Sequence, residues 1–302
     1  MSLQKEALNC KNHVFLQDYT LVEESIQTGT SLLLDRYRTL SPILKCLKLP
    51  WRTAGQVPYC YSLIKNKSDE YNDLVKMRTI YSYSQHPLKN IGQLMGRTLT
   101  VLIKDMVKRL PVNEMVDMGH IKPWLETQMT LVEQARAHSP INVVMVEVDI
   151  KEMFPSIDKS KLIDALLFLF DAWLTSSRRS SRNGVSFSLH KVYRKLDRLG
   201  STLRSDYRVV GWQHLLHFIK WDLEYNVIFR CGTQLWKQVK GVPIGGPMSA
   251  QLAYLWCMVC ELHRSNLIVS ERFLFGTFVR FRDNILLFKH RETSNSEILL
   301  FF

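Results

Sequence analysis

Apolar residues fall on a helical spacing near the start of the chain. Leu21, Ile26, Leu32, Leu33, Leu34 and Leu40 precede Pro42 on roughly a 3.6-residue period, which predicts a helical segment over the first 55 or so residues. From Tyr59 the pattern changes. Residues 59–65 and 78–83 are rich in aromatic and β-branched side chains and flank a polar stretch that begins at Asn66, which predicts a β-hairpin. Leu88, Ile91, Leu94, Leu99, Leu102 and Val107 then predict a helix over 87–109, and another is expected over 123–137. Residues 143–150 alternate little: four valines with Met145 and Ile150 surround Glu147 and Asp149, the pattern of a buried central strand with acids at its end. A helix is expected over 159–174. Residues 176–184 are rich in serine and arginine and predict a solvated insertion, with phosphate contact as the other reading. Beyond it, the pattern predicts a helix over 211–227, a hairpin over 228–239 turning at Cys231-Gly232-Thr233, and a long apolar helix over 248–268. Strand, polar turn at Arg282-Asp283-Asn284 and second strand close the pattern over 277–288.

Length and charge narrow the classes. The 302 residues suit about two domains or one large one. Lys and Arg exceed Asp and Glu by 12 on an otherwise ordinary globular composition, which points to polyanionic partners, nucleic acid first and acidic membrane surface second. Six scattered cysteines do not form a secreted disulfide framework. The N-terminus has no basic patch followed by an apolar stretch, and no apolar run reaches the ~18 residues of a spanning helix. The expectation is a soluble, intracellular protein with no membrane partner, nucleus and cytoplasm being indistinguishable.

Two aspartates are candidates for chemistry because each sits at the end or turn of an apolar strand: Asp149 and Asp283. On neighbouring strands their carboxylates would converge as hard oxygen ligands suited to Mg²⁺; on unrelated strands they would be ordinary strand-end acids. Between them, residues 236–250 hold three glycines and two prolines in a chain with 13 glycines in all, which implies a backbone that something approaches closely. A tight loop capping a helix would read the same way. Cys257, Cys260 and His263 are spaced like zinc ligands, but on an apolar helix they read as core residues.

The order of these features resembles the reverse transcriptases. Asp149 followed five residues later by Phe154 resembles their first palm motif, Gln238 through Ala250 the second, and Phe281-Arg282-Asp283-Asn284 a variant of the third. Lys65 and residues 76–82 resemble the basic fingers segment. The hairpin from Phe229 to Gln238 resembles retroelement branches, including the Penelope-like, non-LTR and group II intron enzymes.

The resemblance implies an α+β right-hand polymerase, with fingers, and a palm whose antiparallel sheet packs on helices. Its expected divisions are a helical N-terminal extension (1–58), fingers (59–140) and a palm (141–302) carrying the 176–184 insertion and ending before a complete thumb. It implies RNA-directed DNA synthesis by two-metal phosphoryl transfer, with Asp149, Asp283 and Asn284 catalytic and Asp149, the Ile150 carbonyl and Asp283 holding two Mg²⁺, for which Mn²⁺ can substitute. Lys65, Arg78, Phe154 and Gln238 would contact the nucleotide; Phe154 would sit under the sugar and favour deoxynucleotides. Gly241, Pro243, Gly245, Gly246, Pro247, Ser249, Phe281 and Arg282 would contact template and primer. The implied partners are an RNA template, a DNA or RNA primer and dNTPs, with the thumb supplied by a protein partner or a further C-terminal segment. Asn284 departs from the usual second aspartate, keeping an oxygen ligand and losing a charge. The alternative is therefore an RNA-binding scaffold of a ribonucleoprotein with a weakened or silent site; RNA-directed RNA synthesis is a third reading, opposed by Phe154.

Overall fold

A computed structural model describes residues 13–15, 35, 38–49, 55–64, 77–112, 121–138, 143–150, 153–178, 181–232, 234–264 and 278–290. In chain order they form β1 (His13–Phe15), α1 (Ser41–Cys46), β2 (Tyr59–Ile64), β3 (Met77–Ser82), α2 (Lys89–Arg109), α3 (Ile121–His138) and β4 (Val143–Asp149). There follow α4 (Met153–Ser156), α5 (Lys159–Ser176), β5 (Ser186–His190), a 3-10 turn (Arg194–Leu196), β6 (Arg198–Leu199), β7 (Tyr207–Gly211) and α6 (Trp212–Tyr225). The last elements are β8 (Ile228–Cys231), β9 (Gln234–Gln238), α7 (Ser249–Arg264), β10 (Phe278–Phe281) and β11 (Asn284–His290). The chain divides into two compact units, one from residues 1–102, 154–163 and 181–253, the other from 103–153, 164–180 and 254–302.

The first unit holds a five-stranded sheet in the order β1-β9-β8-β2-β3, antiparallel except where β2 runs parallel to β8. Its hairpins follow the β-branched and aromatic runs that predicted them. One face buries Cys60, Tyr81, Tyr83, Phe229 and Cys231 with Trp236 against them, and the Tyr81 and Phe229 rings meet edge-on at 4.6 Å. Burial, reinforced by the neighbouring Cys231 sulfur, pushes the Cys60 thiol up, so this pair behaves as core packing. A second sheet in the same unit, β6-β5-β7, buries Phe187, Leu189 and Val210.

The helical expectation for the first 55 residues differs from the structure at residues 13–15, which pair with β9 from His13 opposite Gln238 to Phe15 opposite Trp236. Leu21, Ile26, Leu32, Leu33 and Leu34 lie outside the described residues. Pro42 does not end a helix. It lies in the first turn of α1, where its missing N–H is not needed. The segments 181–211 hold a sheet that periodicity did not predict, because its strands are two to five residues long and mix serine, arginine and apolar positions.

The second unit holds a three-stranded antiparallel sheet in the order β10-β11-β4. Phe278, Ile285 and Leu287 pack with Val146, Val148 and Ile150 on one face. Met145, Glu147 and Asp149 are exposed on the other. This corrects the expectation of a buried central strand: β4 pairs, among the described residues, with β11 alone and is half-buried. The period of two runs through Met145, Glu147 and Asp149. Its valines hide it. In α5, Leu166, Leu169, Phe170 and Trp173 are buried, and the Trp173 indole N–H donates to Asp105 Oδ2 at 2.8 Å. No described helix is long and apolar enough to cross a membrane.

His86, in the connection between β3 and α2, is buried to 1% exposure, and its Nδ1 accepts the Leu88 N–H at 3.2 Å. Burial lowers its pKa to about 3. The unfolded chain therefore takes up a proton near pH 6.5 that the folded chain refuses until about pH 3, and stability is lost as pH falls through that window. Urea denaturation at pH 7 and 4.5 should show wild type losing roughly 2 kcal/mol more than His86→Gln over this interval.

Candidate active site

The second unit brings the three expected metal ligands, Asp149, Ile150 and Asp283, and the expected catalytic residue Asn284 to one end of its sheet. The β4–β11 register sets Asp149 directly opposite Asn284, and the Ile150 N–H donates to the Asp283 carbonyl at 2.8 Å. Asp283 and Arg282 form the two-residue turn between Phe281 and Asn284, which are themselves paired. Asp149 and Asn284 are exposed and Asp283 is half-buried, so their oxygens are open to a ligand from solvent.

A buried charge holds this turn. Arg280, 1% exposed on β10, donates from Nε to Glu261 Oε1 on α7 at 2.6 Å, and from Nη1 to the Arg282 carbonyl at 3.1 Å. Arg282 adopts a φ of +61°, the left-handed region where a hairpin turn usually carries glycine. The hydrogen bond from Arg280 to its carbonyl helps hold a backbone conformation that costs an ordinary residue about 1 kcal/mol or more. The Arg282 guanidinium lies 5.1 Å from the centre of the Phe281 ring. Neither Arg280 nor Glu261 is among the residues that sequence reasoning selected. The signal was present, as a lone arginine inside an apolar strand and a lone acid inside an apolar helix.

The donor set near the turn consists of oxygens: two carboxylates, the Asn284 amide and the Ile150 carbonyl. It suits a hard cation such as Mg²⁺ that completes its shell with substrate oxygens and water. Among the described residues, no group of three or more His, Cys, Asp or Glu side chains is arranged to hold a metal by itself. The zinc-like trio is not such a group. Cys257 is buried and the His263 ring stacks on Phe168 at 4.7 Å.

The remaining candidates lie in the first unit. Lys65 is outside the described residues. Arg78 is exposed on β3, opposite Leu63 on β2. Phe154, on α4, is half-buried, and its carbonyl accepts the Val242 N–H at 3.0 Å. Gln238 is buried; its N–H donates to the Val227 carbonyl at 2.8 Å and its side-chain amide to the Lys240 carbonyl at 3.0 Å. The Gln238 carbonyl accepts from the Lys159 ammonium, whose pKa burial and the nearby Lys237 lower to about 8. Lys159 escaped the sequence reading because a lysine at a helix start looks like surface charge.

The glycine-rich segment folds against its own chain. Gly241 has φ +74°, and a Cβ there would lie 2.6 Å from the Phe154 carbonyl oxygen and the Pro155 Cα. Gly245 has φ +104°, and a Cβ there would lie 2.4 Å from the Tyr81 carbonyl oxygen, while the Tyr81 N–H donates to the Ile244 carbonyl at 2.9 Å. A Cβ at Gly246 would meet the hydroxyl of the buried Ser249. Pro243 is half-buried. So is Pro247, which lies against Gly92 and Gly96 of α2; a Cβ at Gly96 would be 2.5 Å from the Pro247 carbonyl oxygen. The close approach that the glycines imply is thus already filled in part by β3, α2 and the 154–157 turn.

No protein-family model and no curated protein sequence matches the chain. Solved telomerase structures resemble it. A Candida tropicalis telomerase in complex with a TWJ fragment of telomeric RNA aligns over 87% of this chain and 41% of its own, at 11% identity and a TM-score of 0.54. A Candida albicans telomerase with a TWJ fragment of telomeric RNA aligns over 88% and 44% at 15% identity, with a TM-score of 0.47. The chain thus spans less than half the length of these telomerase chains.

Two substitutions test this geometry. Glu261→Ala removes the carboxylate facing a buried guanidinium and should lower unfolding free energy by about 3 kcal/mol in chemical denaturation. Gly241→Ala adds a Cβ against backbone at a positive φ and should cost roughly 2–4 kcal/mol by the same measurement. The α+β fold, with an antiparallel palm-like sheet packed on helices, is the one shared with the C. tropicalis telomerase.

Proposed function

We propose that the chain is a reverse-transcriptase-like nucleotidyltransferase that extends a primer on an RNA template with deoxynucleotides. The observation that carries this reading is the β4–β11 register, which sets Asp149 opposite Asn284 with Asp283 in the adjoining turn. Asp149, Asp283, the Ile150 carbonyl and the Asn284 amide would hold Mg²⁺ or Mn²⁺, which when bound supplies positive charge where the primer oxygen meets the triphosphate. Arg78 and Lys65 would neutralise triphosphate oxygens, a role for which the guanidinium fork of Arg78 is well shaped. Phe154 would exclude the ribose 2′-hydroxyl by bulk. Gln238 would contact the nucleotide, and Gly241, Pro243, Gly245, Gly246, Pro247, Ser249, Phe281 and Arg282 would contact template and primer. The RNA named with the C. tropicalis neighbour supports an RNA partner. The likeness of the 229–238 hairpin to retroelement enzymes supports the finer assignment to that branch.

Asn284 favours a second reading, an RNA-binding scaffold whose acidic site is too weakly charged to hold metal. Primer extension on poly-rA with dTTP and Mg²⁺ or Mn²⁺ separates the two. Catalysis predicts incorporation by wild type, its loss below detection in Asp149→Ala, and a several-fold rise in Asn284→Asp. Incorporation that survives Asp149→Ala would refute the proposed site, whereas RNA binding without incorporation in any of the three would support the scaffold.

A further inference from the structure

The sheet β6-β5-β7 carries a surface that shares no residue with the candidate active site. Residues 191–208 carry six basic residues against two acids, and both acids are already paired. Asp197 is held in a bidentate pair by Arg97, with Nε donating to Oδ2 at 2.8 Å, and it also accepts the His190 N–H at 2.9 Å. Asp206 pairs with Arg204 at 3.1 Å and faces His190 Nε2 at 3.4 Å. His190 Nδ1 accepts the N–H groups of Val192 (3.1 Å) and Tyr193 (2.8 Å), so the neutral ring carries its hydrogen on Nε2, toward Asp206. Arg97 also donates to the His190 carbonyl at 2.7 Å.

The network fixes the backbone of a turn whose side chains are all exposed, the Tyr193 ring lying 5.2 Å from the His190 ring on its inner side. Lys191, Arg194 and Lys195 are exposed and form no ion pair with another described residue. Between and beside them stand Val192 (71% exposed), Tyr193 (63%) and Leu196 (47%). Arg198 and Arg204 flank the group, with their guanidinium groups 5.0 and 6.0 Å from the centre of the Tyr207 ring. Apolar side chains at such exposure, spaced among uncompensated cations on a pre-organised turn, match one kind of ligand. A single nucleic-acid strand offers phosphates for the cations and unstacked bases for an aromatic platform.

We infer that the turn at residues 191–196 is a single-strand nucleic-acid grip, with Tyr193 stacking on a base and Lys191, Arg194 and Lys195 contacting the phosphates on either side. It rests on the proposed function only in that the chain must meet single-stranded nucleic acid. Its chemistry is separate from the acidic hairpin. An acidic protein partner would use the charges but would not require an exposed ring.

Fluorescence anisotropy with the full chain and labelled rU20 or dT20 tests this, from 50 to 300 mM NaCl, with thermal melts to confirm folding. Arg194→Ala/Lys195→Ala should weaken binding about tenfold at 100 mM and reduce the salt slope by about 1.4, at roughly 0.7 per phosphate. Tyr193→Ala should also weaken binding about tenfold but leave the slope unchanged, the signature of lost stacking. Lys122→Ala, an exposed lysine on α3, should bind as wild type. The RNA and DNA arms show which strand the grip prefers. Wild-type affinity in both turn variants, or an equal loss in Lys122→Ala, overturns the grip and leaves the proposed function standing. Failure of wild type to bind either oligonucleotide at 50 mM overturns both.

Discussion

The acidic hairpin depends on a charge buried in an apolar strand. A guanidinium at 1% exposure is costly to desolvate, and Arg280 is tolerated on β10 because Glu261 faces it at 2.6 Å. Apolar residues at both positions would bury as well. What the ion pair adds is direction, because a second N–H of the same guanidinium reaches the Arg282 carbonyl. That bond bears on the one residue of the hairpin turn with a positive φ. The turn in turn fixes where β11 begins, and a strand shifted by one residue would move Asn284 to the other face of the sheet. The pairing of Asp149 with Asn284 is therefore downstream of a pair of residues that no metal would touch.

The glycines of residues 236–250 are required by packing within the first unit. Three glycines in a short span suggested a ligand at the backbone, yet the space a Cβ would fill at Gly241 and Gly245 is occupied by the carbonyls of Phe154 and Tyr81. Packing alone is enough to require glycine there. The glycine-rich segment is evidence for a folded contact among β3, the 154–157 turn and the segment itself, and the weight of the functional argument shifts to the two aspartates. Gly92 and Gly96 make the same point from α2, where they admit Pro247. A helical glycine pair is easy to pass over when the eye follows the apolar stripe.

How much of the fold the chain discloses depends on the length of each signal. Long amphipathic helices such as 89–109 and 121–138 stand within two residues of their expected ends, and the 59–64/77–82 hairpin follows its aromatic and β-branched runs. The strand 143–149 was legible as a strand and misread in depth. Valine is at home on either face of a sheet, so Val144, Val146 and Val148 mask the alternation that Met145, Glu147 and Asp149 carry. The β5-β6-β7 sheet was not legible, since its strands are two to five residues long and the Arg97 that clamps Asp197 beside them lies a hundred residues upstream. The candidate site divides along the same line. Asp149 and Asp283 announce themselves as acids ending apolar strands, Arg280 and Glu261 stand out only as lone charges in apolar elements, and Lys159 gains meaning only from Gln238, 79 residues away.

This division bears on how the proposed catalysis and the proposed strand binding relate. The acidic hairpin is held by Arg280 and Glu261, and the 191–196 turn by Arg97, Asp197 and His190; the two networks share no residue. A change from aspartate to asparagine at position 284 alters the charge of the first and leaves the second untouched. The polymerase and scaffold readings therefore make the same demand on the basic turn and opposite demands on the hairpin. Strand binding measured alone speaks to the turn, and primer extension by the Asp149 and Asn284 variants speaks to the hairpin.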